Sequence, residues 1–125
     1  MKKILLDTNF LLIPFQFNVD IFTEIDRIIL NNYKIYVLDK TLEELESIIK
    51  DKNQKLKNKN AAKLGLQLVK AKKLNIIKTD SKETVDDIIV NIHEDYIVAT
   101  QDIELKRRLN AKTITLRQKQ HLILK

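Results

Sequence analysis

Short apolar runs along the chain predict β-strands. The run from Ile4 to Leu6 ends at Asp7, which is typical of a strand buried on both faces of a parallel sheet. Residues 33–38 are rich in β-branched and aromatic side chains and predict a second strand. Further short runs predict strands at residues 75–79, 96–100 and 113–116. The pattern therefore predicts five strands.

Apolar residues at helical spacing lie between these runs. A stripe that begins at Ile21 predicts a helix, which Asn18 or Asp20 can cap. Thr41 and Glu44 match a capping box and predict a helix that ends near Lys50. Further helices are predicted over residues 61–71, which include Gly65, and over residues 85–92 and 103–109.

Two polar segments interrupt this alternation. Residues 51–60 have a single apolar side chain, Leu56, and predict a mobile loop, and residues 117–125 predict a tail. Strands separated by helices imply right-handed crossovers and a parallel sheet covered on both faces. We expect one domain over residues 1–125, a three-layer α/β/α sandwich around a doubly wound, mainly parallel, five-stranded sheet.

The composition excludes several classes of site. The chain of 125 residues has no cysteine, so disulfides, thiolate zinc sites and cysteine nucleophiles are excluded, and with only two histidines we expect no zinc site. A single glycine, Gly65, cannot satisfy the P-loop or the Rossmann dinucleotide motif. Neither Ser47 nor Ser81 stands in the G-x-S-x-G context of an α/β-hydrolase.

The apolar runs are too short for a targeting or membrane-spanning segment. Asp7 interrupts the amino-terminal run after three apolar residues, and the run from Phe10 to Phe15 contains Pro14. We therefore expect a cytoplasmic protein with no membrane partner, in keeping with the absence of cysteine.

The net charge of +6 is unevenly distributed. Nine lysines and one acid, Asp51, lie between Lys50 and Lys73, and a second basic group lies in the last quarter of the chain. Such segments fit a polyanionic partner, although a solvated helix face would have the same composition.

Acidic residues follow the predicted strands. The acids that stand after the first four strands are Asp7, Glu44, Asp86 with Asp87, and Asp102. The functional crevice of an open parallel sheet lies beyond the carboxyl ends of its strands, so these carboxylates should converge on one edge. Each one alone can also be explained as a helix cap or a first-turn acid.

Together, the acids indicate a metal site. Carboxylates that converge repel one another unless a cation lies between them. Carboxylate oxygens without cysteine or clustered histidine suit hard cations such as Mg²⁺ or Mn²⁺. The pattern therefore favours a metal-dependent phosphodiesterase.

Four segments resemble the motifs of PIN-domain nucleases. They are I-L-L-D-T-N at residues 4–9, L-E-E-L-E at 42–46, V-D-D-I-I at 85–89 and I-V-A-T-Q-D at 97–102. The resemblance follows the family order over nearly the whole chain. The segment from Ile97 to Arg108, with L-R-Q-K at residues 116–119, is most similar to archaeal relatives of the PIN nuclease of the small-subunit processome.

This resemblance implies a role for each acid. Asp7 would be the central ligand of Mg²⁺ or Mn²⁺, joined by Glu44, by Asp86 or Asp87, and by Asp102. Thr8, Asn9 and Thr100 would support these ligands. Glu43 points about 100° away from Glu44 on a helix and has a minor share. Gln101 stands where such relatives often have asparagine, a departure that removes no ligand.

The implied activity is endonucleolytic hydrolysis of RNA. Bound metals would activate water and hold the scissile phosphate, leaving 5′-phosphate and 3′-hydroxyl ends, by analogy with two-metal nucleases. The RNA, single-stranded or an rRNA precursor, would be held through its phosphates by basic residues: Lys55, Lys57, Lys59, Lys63, Arg107 and Arg108.

The sequence leaves several alternatives open. A receiver-type signalling domain has a similar length and fold, but needs an acidic pair at the end of the first strand, where this chain has Asp7 alone. A catalytically inactive RNA-binding assembly factor and the toxin ribonuclease of a toxin–antitoxin pair share the acid pattern. Processing of rRNA and formation of a homodimer are likewise open.

Overall fold

The computed structural model describes residues 1–80 and 82–125. Its helices are α1 (Ile13–Phe17), α2 (Ile21–Ile28), α3 (Asp39–Lys50), α4 (Leu56–Ala71), α5 (Val85–Ile92) and α6 (Ile103–Leu109). Its strands are β1 (Lys2–Leu6), β2 (Tyr33–Leu38), β3 (Asn75–Ile77), β4 (Ile97–Ala99), β5 (Thr113–Arg117) and β6 (His121–Leu124). Short 3-10 helices cover Thr8–Leu12 and His93–Asp95. Among the described helices, none is long and apolar enough to cross a membrane.

The strands form one sheet in the order β3-β2-β1-β4-β5-β6. All neighbours are parallel except β5 and β6. The chain moves outward from β1 through β2 to β3, then crosses back and continues from β4 in the other direction. β1 and β4 therefore flank the point where the strand order reverses, which is where open α/β sheets bind ligands.

Helices cover both faces of the sheet, as expected for the predicted three-layer sandwich. Ile4 and Leu6 of β1 point to one face and pack with apolar residues of α1 to α4. Leu5 points to the opposite face and packs with α5 and α6, through residues such as Ile89 and Leu105. This alternation follows from the two-residue period of a strand.

The helix α4 begins earlier than the sequence predicts. Its first five residues, 56–60, lie in the segment predicted as a mobile loop, and only residues 51–55 connect α3 to α4. The loop prediction was wrong because it relied on the lack of an apolar stripe in this segment. The segment indeed has none, since its only apolar residue, Leu56, is 69% exposed, yet it is helical. The helix is held by its later turns, where Ala61, Ala62 and Val69 are buried.

Gly65 is the position where α4 approaches the 3-10 helix that follows β1. A Cβ atom at this position would lie 2.8 Å from the backbone oxygen of Leu11. Contacts this close are essentially never made by real Cβ atoms, so the packing requires the absence of a side chain. The only glycine of the chain thus lets α4 lie directly against the segment that follows Asp7.

The capping box predicted at Thr41 is also wrong. The helix α3 begins two residues earlier, at Asp39, and Thr41 is a fully buried residue inside it. Glu44 therefore does not cap this helix, and its carboxylate has another partner, described below.

The predicted tail contains a sixth strand, so the prediction of five strands was wrong. β6 pairs antiparallel with β5 through a turn in which Gln118 and Lys119 adopt left-handed conformations, with φ of 54° and 57°. Leu122 of β6 is fully buried. The outer edge of β6 is bound by α2, because Glu24 accepts from the Leu122 N–H at 2.9 Å and Arg27 donates to its carbonyl at 2.9 Å.

Candidate active site

A cleft of about 680 Å³ lies at the carboxyl end of β1, beside the point where the strand order reverses. Among the described residues, the charged groups that line it are one ammonium, that of Lys40, and six carboxylates. The carboxylates are those of Asp7, Glu43, Glu44, Glu83, Asp86 and Asp102. Strongly like-charged walls of this kind attract cations and repel free anions.

Asp7 is the most buried of these acids, with 4% of its surface exposed. It follows β1 directly and caps the 3-10 helix, because Oδ1 accepts from the Thr8 N–H at 2.8 Å. Burial raises the pKa of Asp7 to about 6, even though hydrogen bonds from Thr100 and Thr8 act in the opposite direction. The charges of Asp86 and Glu44 raise this pKa further, which shows that the acids share one electrostatic environment.

A chain of hydrogen bonds joins Asp7 to the end of β4. The Thr100 hydroxyl donates to Asp7 Oδ2 at 2.7 Å, and the Thr100 hydroxyl oxygen in turn accepts from the Asp102 N–H at 3.1 Å. Asp102 caps α6, since its Oδ1 accepts from the N–H groups of residues 104 and 105. Capping and lining the cleft are thus compatible roles for Asp7 and Asp102.

Asn9 and Gln101 strengthen the same junction between β1 and β4. The Asn9 Oδ1 accepts from the Gln101 N–H at 3.2 Å. The Gln101 side chain points to β5, where its Oε1 accepts from the Leu116 N–H at 2.8 Å and from the Thr115 hydroxyl at 3.0 Å. Gln101 therefore ties the end of β4 to β5 and lies away from the acids.

Glu44 reaches the cleft from α3. The Thr8 hydroxyl donates a short hydrogen bond to Glu44 Oε1 and lies 3.3 Å from the hydroxyl of buried Thr41. Glu43, to which the sequence assigns a minor share, also lines the cleft. The structure thus places Thr8, Asn9 and Thr100, the predicted supporting residues, in contact with the acids or with the strand end that carries them.

The structure separates the neighbours Asp86 and Asp87. Asp86 lines the cleft, and its pKa is raised by burial first and then by the charge of Asp102. Asp87 lies outside the cleft, where Arg108 donates to its Oδ1 at 2.7 Å and lowers its pKa. Asp87 is also held through its backbone, because its N–H donates to the Thr84 hydroxyl at 3.2 Å. Asp86 is therefore the acid of this pair that joins the other carboxylates.

Lys40 is a cleft residue that the sequence analysis missed. Its ammonium donates to the carbonyl oxygen of Glu83 at 2.7 Å. The adjacent Asp39 accepts from the Thr79 N–H at 3.0 Å and from the Thr79 hydroxyl at 2.8 Å. These bonds fasten the segment after β3 to the start of α3. The signal in the sequence was a charged pair, Asp39-Lys40, directly after a strand.

The predicted RNA-binding residues lie outside the cleft. Lys55, Lys57 and Lys63 are exposed and Lys59 is half-buried, at the start and along the outer face of α4. Arg107 forms an exposed ion pair with Glu104 at 2.9 Å, and Arg108 pairs with Asp87. Both arginines lie in the last turn of α6, at the opposite end of the helix from its cap, Asp102.

The donors in the cleft fit a hard cation. Carboxylate oxygens surround it, and neither histidine of the chain lines it. Within residues 1–80 and 82–125, no three histidine, aspartate or glutamate side chains form a ready-made metal cluster. Mg²⁺ is compatible with such an arrangement, since it usually binds one or two carboxylates and completes its shell with waters and substrate phosphate oxygens.

Comparison with known proteins gives concordant results. The sequence profile described as "PIN like domain" matches residues 4–119. Ribonuclease VapC4 of Methanocaldococcus jannaschii is 35% identical over 127 residues, an alignment that covers 97% of this chain and 95% of that protein. The profile match includes the positions of all the acids assigned to the site, from Asp7 to Asp102.

A solved structure has the same fold. The structure of the PIN domain endonuclease Utp24 superposes with a TM-score of 0.77 and covers 98% of this chain and 90% of that one. Its sequence identity is 21%, so the likeness concerns the architecture. It confirms the α/β fold that the strand and helix pattern predicts.

Proposed function

The chain belongs to the PIN-like domain family, and from that premise we propose that it is a metal-dependent endoribonuclease. The observation that carries the proposal is the convergence of Asp7, Glu44, Asp86 and Asp102 on one cleft. The similarity to a ribonuclease over almost the full length favours a catalytic role over an inactive assembly factor. Family membership also sets aside the receiver-type alternative.

The residues that would hold the ion are the same four acids, with Asp7 at their centre. The raised pKa of Asp7 supports this, because burial and the charges of Asp86 and Glu44 disfavour its ionised form, which a bound cation would stabilise. The donor set favours Mg²⁺ or Mn²⁺. When bound, such an ion supplies a Lewis acid for the phosphate and makes water easier to deprotonate.

The chain itself contributes orientation and one positive charge. Thr100 and Thr8 donate hydrogen bonds to the carboxylates of Asp7 and Glu44. Both side chains are therefore already oriented before substrate binds, and binding does not have to restrict their motion. The Lys40 ammonium uses one of its three N–H groups on Glu83 and can donate another to a phosphate oxygen. Lys40 therefore offsets the repulsion that the acidic cleft would otherwise exert on RNA.

The substrate we propose is RNA held mainly through its backbone. The net charge of +6 and the lysines of α4 favour a polyanion. Phosphate contacts position a strand without reading its bases. Precursor rRNA and the RNA targets of a toxin ribonuclease both fit this description, so the biological RNA is a separate question from the chemistry.

The proposal is tested by incubating purified protein with end-labelled single-stranded and structured RNAs in Mg²⁺, Mn²⁺ or EDTA. We expect cleavage with either metal, none with EDTA, and products with 5′-phosphate and 3′-hydroxyl ends. Asp102→Asn should abolish cleavage, and Asp87→Asn is the matched control, since Asp87 lies outside the cleft. Cleavage by the Asp102→Asn variant at the wild-type rate would overturn the proposal.

Metal binding has its own readout. Millimolar Mn²⁺ should raise the melting temperature of the wild-type protein, because a ligand that binds only the folded state stabilises it by mass action. The Asp7→Asn/Asp102→Asn double variant should show no such rise. An equal rise in both proteins would place the metal elsewhere.

A further inference from the structure

Phe15 is the exposed phenylalanine of this fold. It lies on α1 with 44% of its surface exposed. The chain has four phenylalanines, and the other three, Phe10, Phe17 and Phe22, belong to the core or pack against it. The core of this fold accommodates phenylalanine rings, so a lack of space does not explain why Phe15 is exposed.

A cavity of about 360 Å³ lies beside Phe15, between α1 and the start of α4. We call its lining residues the Phe15 patch: Phe15, Gln16, Phe17, Lys57 and Asn58. The patch combines an aromatic face, a cationic group and two side-chain amides. Nucleobases stack on aromatic side chains, and adjacent lysines contact the phosphates that link these bases.

Phe15 of the patch lies one helical turn from Leu12, a residue of the acidic cleft. Leu12 lines the cleft and has a helical backbone conformation at the start of α1. Phe15 follows it by three residues, and side chains at this spacing are neighbours on a helix surface, about 5–6 Å apart at Cβ. A strand that leaves the cleft over Leu12 therefore meets Phe15 within one helical turn.

The charges around the patch favour an anionic occupant. Lys55, Lys57 and Lys59 lie at the start of α4, whose first turn contains no acid. Among the ion pairs of the described residues, none involves these lysines. An apolar peptide could cover Phe15, but it would leave this group of positive charges unused.

We infer that the Phe15 patch is a binding platform for an unpaired RNA strand, with a base stacked on Phe15 and the neighbouring phosphate paired with Lys57. The inference rests on the proposed function and specifies its substrate class. A paired base cannot present its face to Phe15, so the platform selects single-stranded RNA at the exit of the cleft. Stacking tolerates every base, so it adds little sequence preference.

The absence of tryptophan from the chain allows a direct test. Phe15→Trp, made in the Asp7→Asn background so that RNA is not cut, places a single reporter in the patch. Binding of a 12-nucleotide single strand should quench its fluorescence, and the same sequence as a duplex should not. Leu30→Trp is the matched control, because Leu30 is 92% exposed and precedes the amino end of β2, whereas the cleft lies at the carboxyl end of β1.

Affinity and salt dependence provide the second readout. Phe15→Ala should weaken single-strand binding by about 5- to 100-fold, as expected for loss of one stacked base, with an unchanged salt slope. Lys57→Gln should reduce the slope of log K against log salt by about 0.7. Circular dichroism melts should show both variants folded, since both side chains are exposed.

The outcomes separate this inference from the proposed function. Quenching in the Phe15→Trp protein and weaker RNA binding by Phe15→Ala would support the platform. If the wild-type protein nevertheless cleaved no RNA, the nuclease proposal alone would be overturned. Normal cleavage with neither quenching nor loss of affinity would overturn the platform alone. A dimer that becomes monomeric in Phe15→Ala, with RNA affinity intact, would identify the patch as a contact between copies of the chain and would also overturn the inference.

Discussion

The Thr100 hydroxyl donates a hydrogen bond of 2.7 Å to Asp7 Oδ2, which joins residues that stand 93 positions apart in the chain. The two residues follow β1 and β4, the neighbouring strands at the point where the strand order reverses. Asp7 is therefore fixed by the sheet itself and not by a loop. A rigid, buried carboxylate of this kind is costly to ionise without a cation beside it.

Replacement of Asp7 by asparagine should abolish cleavage and stabilise the metal-free protein at neutral pH. Folding raises the pKa of Asp7 from 3.8 to about 6, so the folded state binds this proton more tightly than the unfolded state does. The wild-type protein should therefore lose about 2–3 kcal/mol of unfolding free energy from this group as the pH rises from 4 to above 6.

The Asp7→Asn variant lacks this loss. Urea denaturation in EDTA should show it to be more stable than wild type at pH 7.5 and nearly equal to it at pH 4. If the variant and the wild-type protein were equally stable at both pH values, folding would not raise the pKa of Asp7.

Substitutions of Asp86 and Asp87 should have different effects. Asp86→Asn should lower kcat by at least about 100-fold, because even groups behind metal ligands are worth 10–100-fold. Asp87→Asn should leave cleavage and stability nearly unchanged, since its ion pair with Arg108 is exposed. Single-turnover RNA cleavage checks both variants. A larger loss of activity in Asp87→Asn than in Asp86→Asn would show that Asp87, and not Asp86, acts in the site.

Loss of the Lys40 charge should act on RNA and on metal with opposite signs. Lys40→Met should lower kcat/KM for RNA by about 10- to 100-fold, the range for one hydrogen bond to a charged group. The same variant should bind Mn²⁺ more tightly, because a positive charge leaves the cleft. Lys40→Arg should recover part of the activity. Weaker Mn²⁺ binding in Lys40→Met, measured by titration of the thermal shift, would instead indicate that Lys40 only fastens Glu83.

Alanine at Gly65 should destabilise the fold although alanine favours helices. Overpacking against the Leu11 carbonyl costs about 1–3 kcal/mol, and the gain in helix propensity is at most about 1 kcal/mol. Gln67→Ala, at an exposed position of the same helix, is the control and should be neutral or stabilising. Urea midpoints compare the three proteins. A more stable Gly65→Ala variant would show that α4 can move away from Leu11 at no cost.

The convergence of the acids could be predicted from sequence because parallel strands fix where their carboxyl ends lie. Asp7, Glu44, Asp86 and Asp102 each lie in the segment that follows one of the first four strands, and all line the cleft. The choice between Asp86 and Asp87 could not be predicted, since the partner of Asp87 is Arg108, which is 21 residues away in sequence. That contact depends on the packing of α5 against α6.

Two elements that the sequence did not predict, β6 and the first turn of α4, lack the sequence patterns that usually mark a hairpin or a helix start. The hairpin before β6 turns at Gln118 and Lys119, both in the left-handed conformation that glycine and asparagine usually supply. The first turn of α4 has an exposed leucine and no side-chain cap. Both elements form because of contacts distant in sequence: β6 through α2, and α4 through the close approach at Gly65.

The hydrogen bonds from α2 to the backbone of Leu122 restrict how copies of this protein can associate. Sheet edges with free amide and carbonyl groups are templates for pairing with another chain. Glu24 and Arg27 already occupy those groups of Leu122, and the opposite edge, β3, has only three residues. A homodimer should therefore form through helices and not through a sheet shared between subunits, and concentrated protein should resist aggregation by strand pairing.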